Sequence, residues 1–396
     1  MANLALNPNT FDKSQRVDWV DYAKGFCIIF VVMMHSTLGV EKHAFEKGLV
    51  SEGVVGWMNT IVTFAQPFRM PDFFMISGLF LGLVIARSWL RYVDRKVVHF
   101  FYFYILWLAV QFAFRSIGWI GEGLGPLDIL GKFGHALIEP YGTLWFIYML
   151  PVMFIITRLV SKVHWGIVLG AAALLEIAPV HTGWLLVDEF AARYVYFFAG
   201  FALAQPIFSL AAWARDNSGK ALAYLGVWCA VNGLMTLTAF PEALSGIYTS
   251  LGRDVPHNLA QLPFVSLGLG TAGAVAVICL CAVLSRFRIA SFLRYLGSHS
   301  IVVYLAFFLP MVITREILFR FLPSLDLGTM SLIVLLVSVI SSVVAWEFTR
   351  ITGWFKFFFV RPKWAWIERT ETNRDAKASL QPAEELLRQS LHDPGP

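Results

Sequence analysis

Apolar and polar positions alternate along this chain in long blocks, with runs of about twenty apolar residues each closed by a short stretch that holds most of the charge. Such runs match the roughly 20 residues a helix needs to cross a ~30 Å hydrocarbon core. The first predicted helix covers 18–39. The second, 54–87, joins apolar pieces at 54–66 and 70–87 across Gln66-Pro67. We read it as one long broken helix, because proline interrupts the hydrogen-bond ladder. Eight more follow at 98–118, 143–160, 163–179, 191–210, 221–240, 261–284, 299–321 and 329–351. The expectation is an all-α polytopic membrane protein of about ten transmembrane helices.

Charge gives that pattern an orientation. Placing every second loop in the cytoplasm collects Lys13, Arg16, Arg87, Arg91, Arg95, Lys96, Arg158, Lys162, Arg215, Lys220, Arg286, Arg288 and Arg294 on one side. The other side keeps only Lys42, Lys47, Lys132 and Arg253. Lysine and arginine favour cytoplasmic loops, so both termini are expected inside. Residues 1–15 read as a polar tail, 16–360 as the membrane domain and 361–396 as a charged cytoplasmic tail. The repeat symmetry common in transporters is not visible.

Composition agrees. Hydrophobic residues make up 58% of the 396-residue chain and charged residues 14%, against about 25% charged in soluble domains. The net charge of +5 sits mainly in membrane flanks, which makes it a topology signal and not a nucleic-acid footprint. The first apolar run has no small-residue cleavage site after it, so it is expected to remain as a helix. Cys27, Cys229, Cys279 and Cys281 all lie in apolar segments without disulfide or zinc spacing, and read as small packing residues. No metal site is expected.

Ionisable groups at lipid depth are functional candidates by default. Here they are His35, Arg69, Asp72, His99, Glu176, Arg193, Arg315, Glu316 and Glu347, with Arg115 near a helix end. The plainer reading, interfacial or structurally paired groups, suits Glu176, Glu347 and His99. His35 differs. It lies eleven residues past Lys24, about three turns plus 20°, so the two share a helix face about 16 Å apart along the axis. Taken alone, His35 is equally a satisfied bundle histidine or a reactive one. Asp18, Asp21 and Lys24 recur every three residues and read as an ion-paired strip. The block Pro67-Phe68-Arg69-Met70-Pro71-Asp72 frames an arginine between two prolines, and irregular backbone at this depth is tolerated where it is buried or lines a cavity. Ser77-Gly78 fits a close helix contact better than a nucleophile.

These blocks together resemble the acyltransferase 3 family of polytopic membrane acyltransferases. Its opening motif, a basic residue, ten residues and a histidine, is matched by Lys24 and His35, overlapping Asp21-x-x-Lys24. Its Arg-Met-Pro-x-Phe-Phe-x-Ile-Ser-Gly block stands at Arg69 to Gly78. Leu144-Trp145-Phe146, Tyr196-Phe197-Phe198-Ala199-Gly200 and Leu296-Gly297-Ser298-His299-Ser300 with Tyr304-Leu305 are similar to three later blocks, in family order across 18–351. The chain departs from the pattern at Phe307, where the family often has a histidine, and at Asp72, a place usually apolar. No appended SGNH-type hydrolase domain is expected.

The resemblance implies transfer of an acyl group, acetyl or succinyl, from cytosolic acyl-CoA to a hydroxyl of an extracytoplasmic glycan or glycolipid. Acyl-CoA would be a co-substrate, with no permanently bound cofactor, in the bacterial inner membrane. His35 is the expected general base, since imidazole titrates near neutrality. Arg69 is expected to stabilise the carbonyl oxygen and Asp72 to orient Arg69 or a substrate hydroxyl. Lys24, Asp21, Arg91 and Arg95 are expected at the donor site, where cations meet phosphate, and Ser77, Trp145, Ser300 and Tyr304 in the pocket. Direct transfer is preferred to an acyl-histidine intermediate. The alternatives are a transporter or flippase with His35 as proton relay, and a non-catalytic assembly partner.

Overall fold

The computed structural model describes residues 17–250 and 255–367. The tail expected over 1–15, Lys13, Arg16, Arg253 and everything past residue 367 lie outside the described residues.

Helix α1 (Asp18–Glu46) opens with Asp18 and Asp21 in its first turn, where carboxylates complement the exposed amides and the positive end of the dipole. Helix α2 (Trp57–Leu79) runs unbroken through both Pro67 and Pro71, where the sequence suggests a break. Interior proline is costly in an isolated helix, but neighbouring helices compensate in a bundle: Asn232 reaches in to donate to the Phe64 carbonyl at 2.8 Å. The helix also ends at Leu79, not 87, and a 3₁₀ turn at Leu81–Leu83 follows. After it come α3 (Trp89–Gly121), α4 (Pro126–Ala136), α5 (Trp145–Leu159), α6 (Trp165–Ile177), α7 (Leu185–Ala202) and α8 (Ala204–Asp216). The chain continues through α9 (Ser218–Leu237), α10 (Glu242–Ser250), α11 (Val265–Phe287), α12 (Ser291–Ser298), α13 (Ser300–Ala306), α14 (Phe308–Phe321) and α15 (Leu327–Thr352). Among the described residues there is no strand, only one isolated bridge between Ala239 and Asn258.

Among the described residues six helices are long and apolar enough to cross a membrane: α1, α3, the Gly142–Lys162 stretch around α5, α9, α11 and α15. Two bent pairs, α7 with α8 at 77° and α13 with α14 at 49°, bring the number to eight if each is one span. Helix α2, which carries Arg69 and Asp72, and the short α6 account for the other two segments predicted from sequence. Neither meets the requirement of length and apolarity for a span. The protein is therefore an all-α integral membrane protein with six to eight spans by this measure.

Two glycine contacts draw the bundle together. A Cβ on Gly25 of α1 would run into the Leu293 carbonyl of α12, and one on Gly297 into the Asp21 carbonyl. Likewise a Cβ on Gly78 of α2 would meet the Phe197 carbonyl of α7, and one on Gly200 that of Met75. Small residues allow such close backbone approach in membrane bundles. The four cysteines are free, and all but Cys229 are buried.

Candidate active site

Helix α1 carries Lys24 and His35 into two different cavities. The Lys24 cavity encloses about 220 Å³ and is lined by Lys24, Lys96, Ser77, Ser300 and Tyr304 over an aromatic wall that includes Phe73 and Phe154. Four side chains expected at the site thus meet there. Trp145 stands next to that wall, its ring 5.9 Å from Phe74 and 6.4 Å from Phe146. Lys96 had registered in the sequence only as one charge of a basic loop. In the structure its Nζ lies 4.6 Å from the centre of the Phe154 ring. It is carried on a π-helical stretch, Asp94–Val98, within α3. The signal available in the sequence was its place at the edge of the next apolar run.

The second cavity is larger, about 870 Å³, and its polar lining includes His35, His43, Arg115, Arg315 and Glu316. Its α1 residues run from His35 to Glu46, so His35 is the deepest of them. Arg115 donates to the Tyr141 hydroxyl at 3.0 Å and lies over the Phe308 ring. Arg315 pairs with Glu316 at 3.1 Å, and Glu316 also meets His43 at 3.4 Å and Lys47 at 3.6 Å.

A thin wall parts the two cavities. Tyr304, which lines the first, donates its hydroxyl at 2.5 Å to the carbonyl of Thr143, which lines the second. Phe307, fully buried, occupies the bend between α13 and α14. Its ring centre is 5.5 Å from that of His35 and 6.3 Å from that of Tyr304. The aromatic residue that replaces the late histidine of the resembling pattern therefore stands directly against His35.

Arg69 is within electrostatic reach of His35 and of Arg193 and Glu189 on α7. Its Nε and Nη1 atoms are buried without hydrogen-bond partners. Asp72 is wholly buried, with no hydrogen bond to either oxygen, and bears electrostatically on Cys27 and Cys281. Among the described residues Arg69 and Asp72 form no ion pair, and neither lines either cavity. Asp21 stands 4.0 Å from Lys24. Arg91 and Arg95 do not line the Lys24 cavity; Arg95 lies 5.9 Å from the Trp366 ring centre.

The remaining ionisable candidates divide as their contacts dictate. Glu347 accepts from Tyr295 and Arg350, both at 2.5 Å, a paired surface group. Glu176 accepts from Ser266 at 2.7 Å and lines a separate cavity of about 520 Å³. No cluster of three metal-binding side chains occurs among the described residues.

Fold and site together define an integral membrane protein whose first helix presents a lysine to one cavity and a histidine to another. The chain belongs to the acyltransferase family whose domain matches residues 17–347. It is also similar to the inner membrane protein YcfT of Escherichia coli (strain K12), with 29% identity over 163 residues, 37% of this chain and 45% of that protein. The match thus spans less than half the length of that relative. No solved structure matches the chain.

Proposed function

We propose that the protein moves an acetyl or succinyl group from cytosolic acyl-CoA to a hydroxyl of an extracytoplasmic glycan or glycolipid, in the bacterial inner membrane. The observation that carries this reading is the pair of cavities separated by Phe307, Tyr304 and Thr143, with His35 on one side and two lysines on the other.

The Lys24 cavity takes the donor. Its volume of about 220 Å³ is below the roughly 300–1,000 Å³ of ordinary small-molecule pockets. It suits the thin acyl-bearing arm of the coenzyme and leaves the nucleotide outside. Lys24 and Lys96 supply cations for phosphate or for the polarised carbonyl. The larger His35 cavity takes the acceptor. His35 removes the proton from the acceptor hydroxyl as its oxygen forms a bond to the thioester carbonyl carbon. The carbon–sulfur bond then breaks, and the proton passes to the departing thiolate to leave an ester and free CoA. Arg69 lines neither cavity but lies within electrostatic reach of His35, and from there its charge stabilises the negative carbonyl oxygen. The thioester reaches His35 when the Phe307 and Tyr304 side chains swing out of its way.

The test is an acyl-transfer assay on purified protein in lipid, with radiolabelled acyl-CoA and envelope glycan extract. Labelled ester and free CoA in equal amounts support the reading. Uptake of glycolipid into vesicles without a donor, and no ester, overturns it. Wild-type transfer by well-folded His35→Gln or Arg69→Gln removes that residue from its role.

A further inference from the structure

Among the described residues, the chain after α15 stays against the bundle. Residues 354–367 turn back along α3, past the end of the family match at residue 347. The Phe357 carbonyl accepts from the Tyr102 hydroxyl at 3.0 Å, and the Phe358 carbonyl from the Trp107 indole at 2.9 Å. The anchor is Arg361. Its guanidinium pairs with the Asp94 carboxylate at 2.6 Å, both side chains fully buried. It also donates to the Asp94 backbone carbonyl at 2.7 Å and to the carbonyl of Ala365. Trp366 covers it, ring centre 4.4 Å away, while the Ile367 amide donates to Asp94 at 3.2 Å. Residues 361–367, expected as the start of a charged tail, thus form the end of a strap packed on α3.

Asp94 is the first residue of the π-helical stretch that carries Lys96. Such a stretch holds more residues per turn than an α-helix, is intrinsically rare and occurs often at functional sites. A buried ion pair is an expensive way to add stability, because both charges lose their water. Here the pair grips the one distorted turn from which an ammonium group reaches the Lys24 cavity. We propose that the strap, through Arg361 and Asp94, is a positioning device that holds the π-turn and so aims Lys96 at the acyl donor. This rests on the donor reading of the Lys24 cavity, and goes beyond it by making donor affinity depend on a segment that touches no substrate.

The experiment uses the full chain in nanodiscs and CoA as the probe. Arg361→Gln and Lys96→Gln are each expected to weaken CoA binding by at least about tenfold, the size of a lost charge-assisted contact. The double variant binds no more weakly than Lys96→Gln alone, since coupled residues are not additive. In activity assays Arg361→Gln raises the KM for donor with little change in kcat. A second readout is independent of CoA. Cysteine introduced by Lys96→Cys is titrated with a negatively charged methanethiosulfonate, with and without Arg361→Gln. A change of several-fold in its rate is expected, and an unchanged rate overturns the positioning role. Additive losses of affinity, or unaltered CoA binding by folded Arg361→Gln, also overturn it. If the wild type binds no CoA while the cysteine rate still responds, the donor reading falls and the positioning stands. Should Arg361→Gln fail to accumulate, Arg361→Lys keeps the charge but loses the two-pronged grip on Asp94, and the same comparisons decide.

Discussion

The ring of Phe307 lies over the imidazole of His35, centres 5.5 Å apart and planes inclined at 31°. The contact joins the middle of α1 to the bend between α13 and α14. It places a bulky apolar group at the one point where a donor coming from the Lys24 side would meet the base. On the proposed reading that ring parts the donor from His35 and must move before transfer occurs.

Removing that ring should therefore uncouple the reaction. Phe307→Ala is expected to raise acyl-CoA hydrolysis in the absence of acceptor several-fold, while ester formation falls. Free thiol released is compared with labelled ester formed. A lower rate of both, in the same ratio as wild type, would show that Phe307 is packing alone.

His35→Gln keeps the size and polarity of the side chain but removes its basicity. Loss of a general base commonly costs about 10²–10⁴ in rate, and that loss is expected in ester formation. CoA affinity should be unchanged, because His35 does not line the Lys24 cavity. Single-turnover rates with saturating donor, together with calorimetric CoA titration, separate the two effects.

Lys24 should show the reverse pattern. It lines the smaller cavity with Lys96 and stands 4.0 Å from Asp21. Lys24→Gln is expected to weaken CoA binding by about tenfold, as for one charge-assisted contact. Because partly exposed charges are screened by salt, the wild type should lose affinity as ionic strength rises and the variant should lose less. CoA titrations at two salt concentrations measure this. A flat response in both would remove Lys24 from the donor site.

The sequence revealed these residues unevenly, for physical reasons. Long apolar runs announce helices because backbone polar groups in lipid must be satisfied within the segment. Helical periodicity set Lys24 and His35 on one helix, but their opening into two separate cavities was not legible, because the wall between them is built by Tyr304 and Phe307 from far along the chain. Lys96 was not legible either, because its aim depends on a π-turn that no propensity predicts and on Arg361, 265 residues away by numbering. The broken helix expected at Pro67 became continuous because packing against α7 and α9 outweighs the local preference of proline. Arg91 and Arg95 were grouped with Lys96 by charge, yet only Lys96 lines the cavity.

The two motif blocks that carry Gly78 and Gly200 make a structural prediction distinct from the catalytic ones. Each glycine faces backbone of the other helix, Gly78 at Phe197 and Gly200 at Met75. Backbone cannot rotate aside as a long side chain can, so a methyl group at either position must push α2 and α7 apart. Overpacking of this kind costs about 1–3 kcal/mol, and α2 also carries Arg69 and Ser77. Gly78→Ala and Gly200→Ala should lower the thermal midpoint in detergent and reduce transfer together. Gly170→Ala is the matched control, since an added Cβ at that exposed position of α6 meets nothing within 4 Å. It should leave the midpoint unchanged or raise it, because alanine is the better helix former. If all three variants melt alike, the α2–α7 glycines do not set the helix spacing.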